Sequence, residues 1–115
     1  MGQYFIIVNL NKKEFIHPHK FGDGLKLLEF GCSSHGTLTA LTVLLRKSNE
    51  SGGGDFLYYE ECEYVGSWAG DKIVIICDYD KSGLYEKAQK EFKDVSENLR
   101  AQVEVYENIF RNSFY

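Results

Sequence analysis

Continuous apolar runs, rather than alternating ones, mark the strands that the sequence predicts. Residues 4–10 form a short β-prone run that we expect to be buried on both faces. Residues 9–13 are polar and turn-like, and residues 14–17 form a partner strand that ends at Pro18, because proline cannot donate to a ladder. The strongest β signal covers residues 72–79, where four branched aliphatic residues follow one another. The pattern predicts an N-terminal hairpin and a central strand over 72–79.

In three other parts of the chain, the apolar residues recur at the spacing of a helix. Residues 25–30 predict one or two turns closed by Gly31, and residues 35–47 predict a second helix with Ser33 or Ser34 as its cap. An amphipathic helix of about four turns follows Asp94, with Glu97 as its capping-box partner. The expected apolar face of the second helix is Leu38, Leu41, Leu44 and Leu45. The expected apolar face of the last helix is Val95, Leu99, Val103, Tyr106 and Phe110.

The resulting element order, β-β-α-α-β-β-α, predicts an α+β fold in a single domain over residues 1–115. Residues 56–59 and 63–65 supply weaker strand pieces after the glycine loop at 52–54, and residues 84–93 fit either a helix or an irregular segment. We expect a small mixed sheet with an N-terminal hairpin. Two or three helices, including the C-terminal amphipathic one, would pack against it.

Composition narrows the class of protein without naming a function. The chain has 115 residues, is 43% hydrophobic and carries a formal net charge of −4, which disfavours a protein that coats nucleic acid by bulk charge. No apolar run approaches the roughly 18 residues of a membrane span, and the first residues lack the pattern of a secretory signal. Three sparse cysteines do not form a disulfide framework, so we expect a cytoplasmic protein.

Two of these cysteines have distinct expected roles. Cys77 lies in the apolar run and is expected to be a small buried hydrophobe. Cys32, close to His35 in sequence, is the one candidate nucleophile, but a reactive cysteine also needs a base and an electropositive pocket.

Charge is distributed unevenly along the chain. Residues 1–47 hold six Lys or Arg against three Asp or Glu, whereas residues 48–115 hold seven against fourteen. Such asymmetry predicts one face that binds phosphate and another that binds a basic protein, unless folding places the two kinds of charge side by side. Basic residues interleaved with an aromatic ring in loops are typical of an RNA-binding surface. The predicted RNA-binding residues are Lys12, Lys13, His17, His19, Lys20, Phe21 and Lys26.

Two further motifs leave alternatives open. Asp78 and Asp80 follow a strand in a string that resembles the aspartate motifs of haloacid-dehalogenase-type phosphatases and of Toprim nuclease domains, where Glu29 would be the general acid/base. The plain alternative is a polar turn, and we expect no catalytic residue, metal or cofactor. His17 and His19 flank Pro18 and are poorly placed to share a metal.

Trp68 lies in a connecting loop between Gly66 and Gly70. It fits either a plug in the core or an exposed anchor for a protein partner, and we take it as the candidate protein-binding residue.

A family resemblance joins several of these segments. Residues 4–15 (YFIIVNLNKKEF) run into HPHKFG and GLKL, and GSWAGD precedes a strand ending in DYD. In this the chain resembles the family of small proteins, without assigned enzymatic activity, to which the microsporidian dormancy factor belongs. The resemblance implies a monomeric ribosome hibernation protein that occupies the tRNA exit site, contacts rRNA and ribosomal proteins there, and blocks translation without catalysis. The alternatives are a Mg²⁺-dependent phosphotransfer or nuclease-like enzyme using Asp78 and Asp80, and a protein-only adaptor.

Overall fold

The computed structural model describes residues 2–48 and 63–114 and confirms the α+β class. The strands are β1 (Phe5–Asn9), β2 (Glu14–Ile16), β3 (Ile73–Cys77) and β4 (Lys93–Asp94). The helices are a 3-10 turn (Pro18–Phe21), α1 (Leu27–Gly31), α2 (Thr37–Leu45), α3 (Leu84–Glu91) and α4 (Ser96–Phe114). The predictions for the glycine loop and for residues 56–59 lie outside the described residues, and residues 63–65 form turns rather than the predicted strand piece.

The described sheet has the order β3-β1-β2-β4. β1 runs antiparallel to both β2 and β3, so that Ile7 lies opposite Ile16 on one side and Ile75 on the other. β4 runs parallel to β2, with Lys93 opposite Glu14. The predicted hairpin is confirmed, but β1 rather than β3 has a neighbour on each side. The reason is burial, because four of the five β1 residues are buried and only one of the five in β3 is.

Helices cover both faces of the sheet. On one face, Ile7 and Ile16 pack with residues of α2 and α4 in the larger core. On the other face, Ile6, Val8 and Phe15 pack against α3. Residues 84–93, which the sequence leaves ambiguous, therefore form α3 and lead into the first residue of β4. Both faces of β1 are covered, which explains its uninterrupted apolar sequence.

The buried face of α2 differs from the predicted leucine stripe. Leu44 is fully buried, but Leu38 and Leu45 are 43% and 40% exposed. The residues that face the core are Thr37, Ala40, Val43 and Leu44. The helix begins at Thr37 rather than at His35, because His35 has a φ of +63°. This later start places Thr37, not Leu38, on the inner face.

Asp23, rather than Ser33 or Ser34, caps α2. Its Oδ2 accepts hydrogen bonds from the Thr37 N–H at 2.7 Å, the Thr37 hydroxyl at 2.6 Å and the Ser33 hydroxyl at 3.2 Å. A Cβ on Gly36 would lie 2.5 Å from this oxygen, so only glycine permits the approach. The cap comes from a distant loop, which local sequence patterns do not reveal.

The C-terminal helix follows its prediction closely. Asp94 Oδ1 accepts the Ser96 N–H at 2.9 Å, and the side chains of Val95, Leu99 and Val103 are buried. Glu97, the expected box partner, instead accepts a hydrogen bond from Lys20 Nζ. The helix has 19 residues and so spans about five turns rather than four. The predicted core positions Tyr106 and Phe110 lie outside the described side chains.

We predict that Asp23→Ala lowers the free energy of unfolding by about 2–4 kcal/mol, because the fully buried Thr37 would lose the acceptor for its N–H and hydroxyl groups. Urea unfolding followed by circular dichroism measures the change. Ser33→Ala, which removes one long hydrogen bond to the same carboxylate, is the matched control and should cost much less. Equal stability of Asp23→Ala and the unmodified protein would contradict this role for Asp23.

Candidate polyanion-binding surface

The predicted basic residues do not form one surface. Lys12 and Lys13 lie in the turn between β1 and β2. His17, His19 and Lys20 follow the other end of β2, in and beside the 3-10 turn. Lys26 also lies at that second end, since the carbonyl of the preceding residue accepts the N–H of the first β1 residue at 2.9 Å. The antiparallel hairpin therefore divides the predicted set between its two ends.

A buried asparagine shapes the turn that holds Lys12 and Lys13. Asn9 is 0% exposed, and its Oδ1 accepts the N–H groups of Asn11 at 2.9 Å and of Lys12 at 2.8 Å. Its Nδ2 donates to Asp71 Oδ2 at 2.9 Å. Lys13 then adopts a left-handed φ of +55°, which lets the chain re-enter the sheet as β2.

Two lysines from distant parts of the sequence join this turn. The Lys72 carbonyl accepts the Leu10 N–H at 2.9 Å, and the Lys72 N–H donates to Asn11 Oδ1 at 2.6 Å. On the opposite side, the Lys93 N–H donates to the Lys13 carbonyl at 3.0 Å. We call the surface formed by Lys12, Lys13, Lys72 and Lys93 the basic sheet end. All four lysines are exposed.

Sequence reasoning missed Lys72 and Lys93 because their grouping depends on strand pairing. Lys72 directly precedes the strongest β run, and that position is the one local signal that it would lie at a sheet end. Which end it shares with Lys12 follows only once β3 is known to run antiparallel to β1. Lys93 lies in a segment that the sequence left ambiguous.

Asp71 and Glu14 lie beside the basic sheet end, and the carboxylate of each has a hydrogen-bond partner. Asp71 Oδ2 forms an ion pair with Lys12 Nζ at 2.6 Å. The hydrogen bond from Asn9, followed by that from Lys12, holds the pKa of Asp71 below its usual range. Glu14 is half-buried, and its Oε1 accepts the indole N–H of Trp68 at 2.8 Å. Lys12 is thus partly neutralised, whereas the carboxylate of Glu14 is directed toward the core tryptophan.

The second group of predicted residues is engaged in the structure of the protein itself. Lys20 Nζ lies 3.2 Å from Glu97 Oε1 and 3.5 Å from Asp94 Oδ2, and the hydrogen bond to Glu97 raises the pKa of Lys20. The Lys20 carbonyl accepts a hydrogen bond from Arg100 at 2.9 Å. These contacts join the 3-10 turn to the start of α4. Lys20 is therefore less available for phosphate than the sequence suggests.

The two histidines of the HPH segment lie side by side. Their ring centroids are 5.3 Å apart, and His17 Nδ1 accepts the His19 N–H at 3.3 Å. The His17 N–H in turn donates to Ser96 Oγ at 2.8 Å. Burial, followed by the neighbouring His19, lowers the pKa of His17. His17 therefore acts as the cap of the 3-10 turn, and His19 remains exposed.

Both aromatic residues assigned to binding lie in the core, which corrects the binding roles of Phe21 and Trp68 and confirms the alternative that Trp68 is a plug in the core. Phe21 is 8% exposed and Trp68 is 0% exposed, and both belong to the larger core cluster. A buried ring cannot stack on a splayed base, and a buried indole cannot anchor a partner. The glycine-flanked connection bends so that Trp68 fills the core, and Glu14 satisfies its N–H.

The Asp78 and Asp80 carboxylates accept hydrogen bonds within the protein, at the end of β3 and in the turn that follows it. Asp78 Oδ1 accepts the Tyr4 N–H at 3.1 Å, and Asp80 Oδ1 accepts both the N–H and the hydroxyl of Ser82. The Ser82 hydroxyl is the main cause of the lowered pKa of Asp80. Glu29, the expected acid/base, accepts the Lys26 N–H at the start of α1.

Other potential metal ligands and nucleophiles are also scattered. Within residues 2–48 and 63–114, no group of three His, Cys, Asp or Glu side chains could hold a metal ion. His17 and His19 therefore have no third ligand among the described residues. Cys32 is exposed and Cys77 is half-buried, so the burial expected for Cys77 is only partial. No helix in the described part of the chain is long and apolar enough to cross a membrane.

Comparison of the chain with protein-family models, with characterised proteins and with solved structures gave no match. The surface is therefore interpreted from its own geometry.

We predict that Asn9→Ala lowers the free energy of unfolding by about 2–3 kcal/mol, because two turn N–H groups lose a buried acceptor and Asp71 loses a donor. Urea unfolding measures the loss. Asn108→Ala, at an exposed position on α4, is the control and should be close to neutral. An Asn9→Ala protein as stable as the control would show that the turn does not depend on this amide.

We also predict that His17 makes the protein less stable in mild acid. Its pKa is lowered in the folded state, so below the ordinary value of 6.5 the unfolded chain binds more protons than the folded one. The stabilisation that the neutral His17 ring provides is complete above pH 6.5 and declines as the pH falls toward the folded-state pKa. Urea midpoints from pH 7.5 to 5 should fall more steeply for the unmodified protein than for His17→Asn, which keeps a capping acceptor. Identical slopes would contradict the prediction.

Proposed function

We propose that this protein is a non-catalytic, ribosome-binding factor whose basic sheet end contacts rRNA. The observation that carries the proposal is that three separate chain segments bring four exposed lysines to one end of the sheet. Lysine ammonium groups bind phosphate as point charges, and neutralising phosphates releases counterions and so provides affinity. The hypothesis from sequence is retained, but of its predicted RNA-binding residues only Lys12 and Lys13 are kept, and Lys72 and Lys93 are added.

The rest of the molecule would face protein rather than RNA. Residues 48–115 contain twice as many acidic as basic residues, and exposed carboxylates include Glu86 and Glu91 on α3. Such a surface repels phosphate and complements basic ribosomal proteins. Net acidity also limits the affinity available from RNA alone, so contacts with protein are needed for stable binding.

We further propose that the site is the tRNA exit site, where the bound protein would block translation and favour an idle ribosome. This location rests on the family resemblance of residues 4–27 and 66–80. The dimensions are compatible with it, since the molecule is 13.2 kDa and its longest axis is 45 Å. A body of this size is smaller than a tRNA and can fill part of a site that a tRNA would occupy.

The direct test is co-sedimentation with purified, vacant ribosomes at low and at high salt. The unmodified protein should pellet with ribosomes at low salt, and binding should weaken as salt rises. The Lys13→Glu/Lys93→Glu double variant should bind about tenfold more weakly, because two phosphate contacts become repulsive. Adding deacylated tRNA should displace the unmodified protein if the two share the exit site.

A matched control separates the basic sheet end from bulk charge. Lys81→Glu/Lys87→Glu makes the same change in net charge on and beside α3 and should leave ribosome binding nearly unchanged. Failure of the unmodified protein to sediment at low salt would end the proposal. An equal loss in both double variants would show that the basic sheet end is not the contact surface.

A further inference from the structure

We propose that the basic sheet end binds the sugar–phosphate backbone of double-stranded RNA along one strand, without reading bases. The inference rests on the proposed RNA contact and adds the kind of RNA that is bound. It follows from three features of this surface: the alignment of its charges, the absence of stacking rings among its described residues, and its rigidity.

The four lysines follow the end of the sheet in strand order. Lys72 precedes β3, Lys12 and Lys13 join β1 to β2, and Lys93 begins β4. Neighbouring strands lie about 4.8 Å apart, so three strand-to-strand steps span about 14 Å. Each strand of a duplex presents regularly and closely spaced phosphates, so a row of this length can contact several phosphates of one strand.

The described residues of this surface offer no stacking platform. The exposed aromatic side chains in the described part of the protein are Tyr4 and Tyr79. Both lie at the opposite end of the sheet, since the Tyr4 carbonyl accepts the N–H of the residue before Tyr79 at 3.0 Å. Proteins that bind single strands stack unpaired bases on such rings, and each stacked base adds affinity. The described residues of this surface therefore favour a duplex, whose bases are already stacked.

The described part of this end also lacks a side chain that is free to make a pair of hydrogen bonds with a base edge. Base recognition typically uses paired hydrogen bonds from arginine, asparagine or glutamine. Arg100 lies on α4 and is bonded to Glu104 and to the Lys20 carbonyl. At the basic sheet end, Asn9 is buried and Asn11 Oδ1 accepts the Lys72 N–H. Contacts with phosphate position a protein on RNA but carry no sequence information.

The backbone beneath the lysines is held by its own hydrogen bonds. The Lys93 N–H donates to the Lys13 carbonyl, and the Leu10 N–H donates to the Lys72 carbonyl. The Lys72 N–H donates to Asn11 Oδ1. Binding therefore orders side chains only, which lowers its entropic cost. A fixed row of charges suits the regular spacing of a duplex better than a flexible strand.

Asp71 limits the affinity of this surface. Its ion pair with Lys12 Nζ at 2.6 Å makes one of the four lysine ammonium groups less available to phosphate. Asp71→Asn removes the charge and keeps an oxygen that can accept the Asn9 hydrogen bond. Because the pair is partly exposed, we expect this variant to bind duplex RNA only about threefold more tightly.

The test uses fluorescence anisotropy with two labelled RNA duplexes of unrelated sequence, each of about 16 base pairs, and with one of their separated strands. The two duplexes should bind with affinities within about twofold of each other, and the single strand at least about fivefold more weakly. The logarithm of the binding constant should fall against the logarithm of salt with a slope of about −3. Lys13→Gln/Lys93→Gln should reduce this slope by about two, and Lys81→Gln/Lys87→Gln should not change it.

Two results would overturn the inference: a single strand that binds as tightly as the duplexes, or a preference of more than about tenfold for one duplex sequence. Ribosome sedimentation separates this failure from that of the proposed function. If ribosome binding depends on Lys13 and Lys93 but neither duplex binds, the duplex inference is wrong and the proposed function stands. If the duplexes bind as expected but ribosomes do not, the proposed function is wrong.

Discussion

The buried carboxamide of Asn9 is the interaction on which the basic sheet end depends. An amide without access to water must have its polar atoms satisfied within the protein, and Asn9 is satisfied by the N–H groups of Asn11 and Lys12 and by the carboxylate of Asp71. These bonds join the hairpin turn to the segment before β3. The positions of Lys12, Lys13 and Lys72 thus follow from one side chain that is itself invisible at the surface.

Buried polar contacts have a similar role at the other end of the hairpin. The Ser96 hydroxyl accepts the His17 N–H, and Asp23 caps α2 from a distant loop. Apolar packing alone tolerates many arrangements, whereas an unsatisfied polar group costs about 1–3 kcal/mol, so such contacts select one of them. The hydrophobic clusters stabilise the sheet and helices, and the polar contacts fix how the loops join them. That division explains how a short hairpin holds charged loops in fixed positions.

The sequence predicts those features that depend on local periodicity. The hairpin and the inner face of α4, at Leu99 and Val103, follow from residue spacing. Features set by distant partners were mispredicted or missed. The face of α2 depends on the cap from Asp23, and the grouping of Lys72 with Lys93 depends on strand order. Phe21 was assigned to a surface, and Trp68 was left between core and surface, because composition does not state which rings the core can hold.

A net charge of −4 does not prevent this surface from binding RNA. Electrostatic interactions in water at physiological salt decay over about 8 Å, whereas the long axis of the molecule is 45 Å. Phosphates at the basic sheet end therefore respond mainly to Lys12, Lys13, Lys72 and Lys93 and only weakly to carboxylates on remote parts of α4. Those carboxylates still repel RNA that approaches from other directions. Among the described residues, the carboxylates of α4 thus favour an orientation in which RNA approaches the basic sheet end.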